Sequence, residues 1–108
     1  MDAQLKRGLT EACVLSVLDR EDSYGYKIVK DLSEVVELSE STLYPILKRL
    51  EASDCLSVYT VEHNGRLRKY YRITKTGRLR IEEFLRDWES VLKVYTFIKE
   101  GGGRNEQV

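Results

Sequence analysis

The chain has 108 residues, 42% apolar and 33% charged, enough for one domain with a modest core and too little for a deep enzymatic cleft. One proline and seven glycines argue against a disordered or collagen-like chain. The balanced charge, 18 basic against 18 acidic residues, leaves any electrostatic role to local clustering. No run approaches the ~20 apolar residues that span a bilayer, and the first fifteen residues lack a secretory signal, so a soluble cytoplasmic protein is expected.

The first segment, Leu5 to Leu18, carries Leu5, Leu9, Ala12, Cys13, Leu15 and Leu18 near helical spacing. After the polar stretch Asp19 to Ser23, Tyr24-Gly25-Tyr26 opens a second helical stretch. Its apolar set is Tyr26, Ile28, Val29, Leu32, Val35 and Val36. Ser39-Glu40-Ser41-Thr42 announces a third helix, because serine hydroxyls accept the free N–H groups of a first turn. We start that helix at about Ser41, which leaves Pro45 near its N-terminal end, where proline is tolerated. Leu43, Ile46, Leu47 and Leu50 form its inner face.

The period then changes. Leu56 to Glu62 and Lys69 to Thr74 are rich in β-branched and aromatic residues, and Asn64-Gly65 between them is a strong hairpin turn signal. Gly77 interrupts, and Leu79 to Lys99 reads as one long helix. Its stripe is Ile81, Phe84, Trp88, Val91, Tyr95 and Ile98, widened by Leu85 and Leu92. The Gly101-Gly102-Gly103 run ends it, and the tail 101–108 is expected to fray.

Three helices, a hairpin and a long helix follow the order of a mainly α, winged helix-turn-helix domain with a C-terminal extension. Residues 1–75 form the three-helix core plus β-hairpin wing, and residues 76–100 a dimerisation helix. The stripe is longer than the core can cover, so it is expected to meet a second copy of itself, with Ile81, Phe84, Leu85, Trp88, Val91, Leu92, Tyr95 and Ile98 at the interface. Packing back on the first helix is a rival use of the same face.

Chemistry-bearing residues are few. Cys13 and Cys55 fit no metal-ligand spacing and read as small buried apolar groups. His63 stands alone in a turn, with no nucleophile or second ligand in sequence reach. No cofactor, metal or enzymatic reaction is therefore expected. Charge is uneven, however. Between Asn64 and Ile81 stand seven cations (Arg66, Arg68, Lys69, Arg72, Lys75, Arg78, Arg80) and no acid. Acids gather instead at Asp31, Glu34, Glu37 and Glu40, and at Glu82, Glu83, Asp87 and Glu89. A basic hairpin tip suits phosphates beside a minor groove, whereas cations on an edge strand also guard against aggregation.

On the third helix Ser41, Pro45, Lys48 and Ala52 point outward, flanked by Tyr44 and Arg49. Ser41, Thr42 and Tyr44 are candidates for groove contact, and Lys48 and Arg49 for phosphate clamps. The plainer reading makes Ser41 a cap and packs the Tyr44 ring on a neighbouring helix.

Three strings then carry a resemblance: Tyr24-Gly25-Tyr26, the run Ser41 to Glu51 (STLYPILKRLE), and the run Arg68 to Gly77 (RKYYRITKTG). With them the chain, from Gln4 to about Lys99, resembles the PadR family of bacterial transcriptional regulators, in its short form. The resemblance implies a homodimeric repressor that binds a pseudo-palindromic operator in double-stranded DNA and is released by a small molecule. It puts Ser41, Thr42, Tyr44 and Pro45 at the DNA and makes Arg66, Arg68 and Lys69 the basic wing. Tyr24, Tyr26, Tyr70 and Tyr71 are then mainly framework. It also makes Trp88 a candidate for stacking a flat aromatic effector, with Phe84, Val91 and Leu92 as pocket walls. Two departures stand out. Asp54 occupies a place where many relatives have glycine, and Leu67 stands where many carry proline at the wing tip. A winged-helix adaptor that binds protein and no operator is the alternative reading.

Overall fold

The computed structural model describes residues 2–101. In chain order it contains α1 (Ala3–Arg20), α2 (Gly25–Leu32), α3 (Glu40–Ala52), β1 (Leu56–His63), β2 (Arg66–Ile73) and α4 (Lys75–Lys99). The winged helix-turn-helix order and the mainly helical class are both present. The tail 102–108 lies outside the described residues.

Three of the four helices begin on a side-chain cap. Asp2 accepts from the amides of Gln4 and Leu5, Ser39 from Thr42, and Thr74 from Gly77; α2, opened by Tyr24, is the exception. The cap of α3 is therefore Ser39, and Ser41 lies inside the first turn. The helix begins one residue earlier than its sequence suggests, and Pro45 falls in the second turn. Proline has no N–H, so the Ser41 carbonyl loses its helical donor on an exposed face. The second helix is shorter than expected and stops at Leu32. There the Ser33 hydroxyl turns back to the Lys30 carbonyl (2.8 Å), leaving Val35 exposed in the loop.

α1, α2 and α3 enclose Val14, Leu15, Leu18, Ile28, Leu32, Leu43, Ile46, Leu47 and Leu50, and the hairpin closes the core with Cys55, Leu56, Tyr71 and Ile73. Cys55 is buried as expected, whereas Cys13 is only half-buried and lines a hollow beside the α2–α3 loop. Burial still pushes its thiol above the ordinary range.

The strands pair antiparallel from Leu56↔Ile73 to His63↔Arg66. Asn64 (φ 53°) and Gly65 (φ 78°) make the two-residue turn, both left-handed as a tight hairpin requires. Ser23 adds a third, single-residue rung: its amide donates to the Tyr71 carbonyl (3.2 Å), and the Tyr71 amide donates back (2.8 Å).

Gly77 does not interrupt the last helix; it lies within its first turn. A Cβ there would overlap the Cys55 carbonyl oxygen and the Ile73 side chain, so glycine is what lets α4 start hard against the strand ends. The first half of α4 packs on α1, and Ile81 joins its own chain's core. Its second half runs clear of the domain and gives the molecule a long dimension of 71 Å.

Candidate nucleic-acid interface

The wing is braced before it is charged. Tyr59 donates its phenol to Asp22 (2.6 Å), and Arg72 Nε reaches the same carboxylate oxygen (3.0 Å). Tyr59 stacks on Tyr70 at 5.6 Å, Tyr70 meets the edge of Tyr24 at 5.4 Å, and the Arg68 guanidinium lies 4.1 Å over the Tyr24 ring. This ladder ties the hairpin to the start of α2. Tyr24 and Tyr70, through this ladder, and Tyr71, through its burial in the core, are framework as expected. Tyr26 is not: it is 60% exposed.

Between α3 and the wing lies an open cleft of about 720 Å³. Its walls include Tyr44 from α3, Arg66, Arg68 and Lys69 from β2, Gly25 and Tyr26 from α2, and Tyr24 just before it. Tyr44 is held by shape. Its hydroxyl comes so close to Gly25 that a Cβ on that residue would sit 2.6 Å away. Loss of water around the phenol, with the Glu40 carboxylate nearby, pushes the Tyr44 pKa upward. The group therefore keeps its proton, and its donor, at neutral pH. Tyr44 packs its hydroxyl end against Gly25 and still leaves nearly half of the residue exposed toward the cleft.

The seven cations of the wing region separate into two sets. Arg72 pairs with Asp22 (3.0 Å), Arg78 with Asp19 (3.0 Å) and Arg80 with Glu11 (3.8 Å). Arg66, Arg68, Lys69 and Lys75 make no ion pair among the described residues. Of these, Arg66, Arg68 and Lys69 are the ones at the cleft. The basic run thus splits between Arg72, Arg78 and Arg80, which are ion-paired, Arg68, which stacks on Tyr24, and the exposed Arg66, Lys69 and Lys75.

The α3 candidates divide in a similar way. Ser41, Thr42, Pro45 and Lys48 are exposed, and Thr42 and Pro45 line a hollow against α1 together with Arg49, so of the α3 candidates only Tyr44 lines the wing cleft. The hydroxyls of Ser41 and Thr42 each lie 3.0 Å from Ser39 Oγ, which clusters three hydroxyls at the helix start. Arg49 stands on the opposite flank from Tyr44, facing α1, where its guanidinium meets Glu11 (3.4 Å). It is drawn into a framework pair and away from the cleft.

Several cleft residues carry no sign of that role in the sequence. Glu40 groups there with acids remote from the wing, yet it begins α3 and lines the cleft, as do His63, Asn64 and Leu67. The turn signal at Asn64-Gly65 marks the last three as a tip, and a cap at Ser39 puts Glu40 in the first turn.

On α4, Phe84 and Trp88 are half-buried with ring centroids 6.1 Å apart. Phe84 also lines hollows against α1. Beyond Trp88 the apolar residues Val91, Leu92, Val94, Tyr95, Phe97 and Ile98 are 47–69% exposed. Val94 and Phe97 lie off the stripe read from the sequence, so the end of the helix is apolar over most of its circumference.

The sequence model of the Transcriptional regulator PadR-like family matches residues 14–83, which run from the core of α1 through the wing into α4. The chain belongs to this family. An uncharacterised protein of Lysinibacillus sphaericus is 31% identical over 100 residues, covering 88% of this chain and 92% of its own. The crystal structure of a Streptococcus mutans protein, smu.1704, is 40% identical with a TM-score of 0.76, covering 88% of this chain and 90% of that one. A PadR family transcriptional regulator from Eggerthella lenta is 33% identical with a TM-score of 0.82, covering 91% and 88%. This PadR-like chain is accordingly a transcription regulator, in a family whose members bind DNA, typically as dimers. None of its described helices is long and apolar enough to cross a membrane.

Proposed function

We propose that this PadR-like chain is a sequence-specific operator-binding repressor that acts as a homodimer and is released by a small aromatic effector. The observation that carries the DNA reading is the α3–wing cleft, where Arg66, Arg68 and Lys69 stand without acidic partners among the described residues, beside the exposed polar side of α3. Phosphates favour such uncommitted cations, and the hydroxyl cluster at the start of α3 adds amide and hydroxyl donors. Ser41, Thr42, Tyr44 and Pro45 then face base edges, and Lys48 a flanking phosphate.

The dimer reading rests on α4. Leu85, Val91, Leu92, Tyr95 and Ile98 present more apolar surface than one chain covers, and a two-fold partner supplies the same face in return. Two reading heads about one helical turn of DNA apart follow from that symmetry. Trp88 and Phe84, at the inner end of the same face, would stack a flat effector between the two α4 helices, with Val91 and Leu92 as walls.

The test is binding of the dimer to its own upstream DNA by fluorescence anisotropy between about 50 and 200 mM salt. For about 6–10 phosphate contacts, log K should fall with log salt at about −0.9 per contact while sequence preference survives. Binding that is weak and indifferent to sequence would favour the adaptor reading. For the effector, Trp88→Ala should abolish the response of operator binding to planar aromatic compounds, and an intact response would remove that part.

A further inference from the structure

Strand β2 places alternate side chains on opposite faces, so Leu67, Lys69, Tyr71 and Ile73 form one row. The inner members of that row, Ile73 and Tyr71, are 5% and 4% exposed and close the core. The hairpin then outruns the domain, and Leu67 is 76% exposed, the most exposed large apolar side chain among the described residues. Its cross-strand partner is Glu62, which gives it no apolar cover. A single surface leucine is ordinary by itself. This one has a particular position: it lines the α3–wing cleft in the same row as Lys69, which has no acidic partner among the described residues, while Arg66 and Arg68 lie on the strand's other face.

We propose that Leu67 is an apolar wedge that enters the minor groove of bound DNA and strains a base step beside each half-site. The inference rests on the operator-binding reading above. Lys69, the next side chain on the same face, would engage a phosphate at the rim of a groove about 6 Å wide, which brings Leu67 at the wing tip to its mouth. A branched alkyl group there has no hydrogen bond to offer. It can gain only by burying itself against sugars and by prising at stacked bases, which bends the duplex away. The protein then selects deformable pyrimidine–purine steps at positions where it reads no base edge.

The test uses duplexes that the wild-type protein selects from a randomised pool, with binding measured across a salt series and bend by energy transfer between duplex ends. Leu67→Ser should bind the selected duplex about tenfold more weakly, because its side chain no longer buries apolar area in the groove. It should bend the DNA less and leave the salt slope unchanged, because no phosphate contact is removed. Lys69→Ser should instead make the slope shallower, by about 0.9 for each phosphate it no longer neutralises. Leu67→Met should restore affinity and bend. The side chain is exposed, so thermal unfolding of Leu67→Ser should match wild type and exclude a folding defect. Wild-type affinity and bend in Leu67→Ser, or a weakening that comes with a changed slope, overturns the wedge and leaves operator binding standing. A pool that yields no preferred duplex overturns operator binding and the wedge together.

Discussion

The two ends of this molecule present opposite surfaces. At the α3–wing end the exposed chemistry is cationic and hydroxylic, and one chain completes it: Tyr44, Arg66, Arg68 and Lys69 meet in a single cleft, and an aromatic ladder holds the wing in place. At the far end of α4 the exposed surface is apolar, and one chain leaves it open from Val91 to Ile98. The first surface suits a highly charged, water-bound partner, because free cations gain most from phosphates. The second suits a copy of itself, because apolar area gains most from matching apolar area. In such a molecule reading and assembly can be damaged separately.

The largest effect is expected from the α4 end. Leu92→Glu combined with Ile98→Glu should raise the dimer dissociation constant more than about a hundredfold, measured by sedimentation equilibrium, since charges would be buried without partners. The α3–wing end should keep its thermal transition. A dimer of unaltered strength would move the interface elsewhere. At the opposite end, replacing Arg66, Arg68 and Lys69 together by Ser should leave the dimer intact. It should weaken operator binding by about two orders of magnitude near 0.1 M salt, with a shallower salt slope, as anisotropy would show. Unchanged binding would break the comparison outright.

The junction between the ends is tested by Gly77→Ala, which drives a methyl group into the Cys55 carbonyl and the Ile73 side chain. A loss of about 2–3 kcal/mol in urea unfolding is expected. Asp54→Gly acts in the other direction. Asp54 holds φ 63° at the end of α3, and glycine there should add about 0.5–1 kcal/mol. A smaller effect sharpens the wing bracing through pH. The Asp22 contact raises the pKa of the Tyr59 phenol, and burial raises that of Tyr71. Below about pH 10 folded and unfolded chains both hold these protons, so stability is full. Above it the unfolded chain releases them first, and stability should fall as pH rises through the folded values. Urea midpoints at about pH 9 and pH 11 would show the slope, and Tyr71→Phe should reduce it.

Much of this arrangement is legible in the sequence because it is local. The Asn64-Gly65 turn, the inner face of α3 and the stripe of α4 each follow from a few adjacent residues with a fixed period. What the sequence hides depends on residues far apart. Nothing near Arg72, Arg78 or Arg80 announces Asp22, Asp19 and Glu11, so the basic run reads as one surface when half of it is framework. Gly77 reads as a helix breaker for the same reason, since the Cys55 carbonyl that demands it lies in another part of the chain. Glu40 and Tyr26 reach the cleft only because α2 and α3 cross beside the wing. Val94 and Phe97 escape a stripe that assumes one partner face, because they lie outside it.

The close approach at Gly77 has a mechanical meaning. A helix rooted without clearance has little slack at its base, so a tilt of α4 would act as a lever on the strand end it touches. Its 25 residues extend about 37 Å, so a tilt of about 5° at one end sweeps the other through about 3 Å. In the repressor proposed above, that is the scale on which a side chain would keep or lose its place against a base pair, and the contact at Gly77 is where a tilt would reach the strand ends.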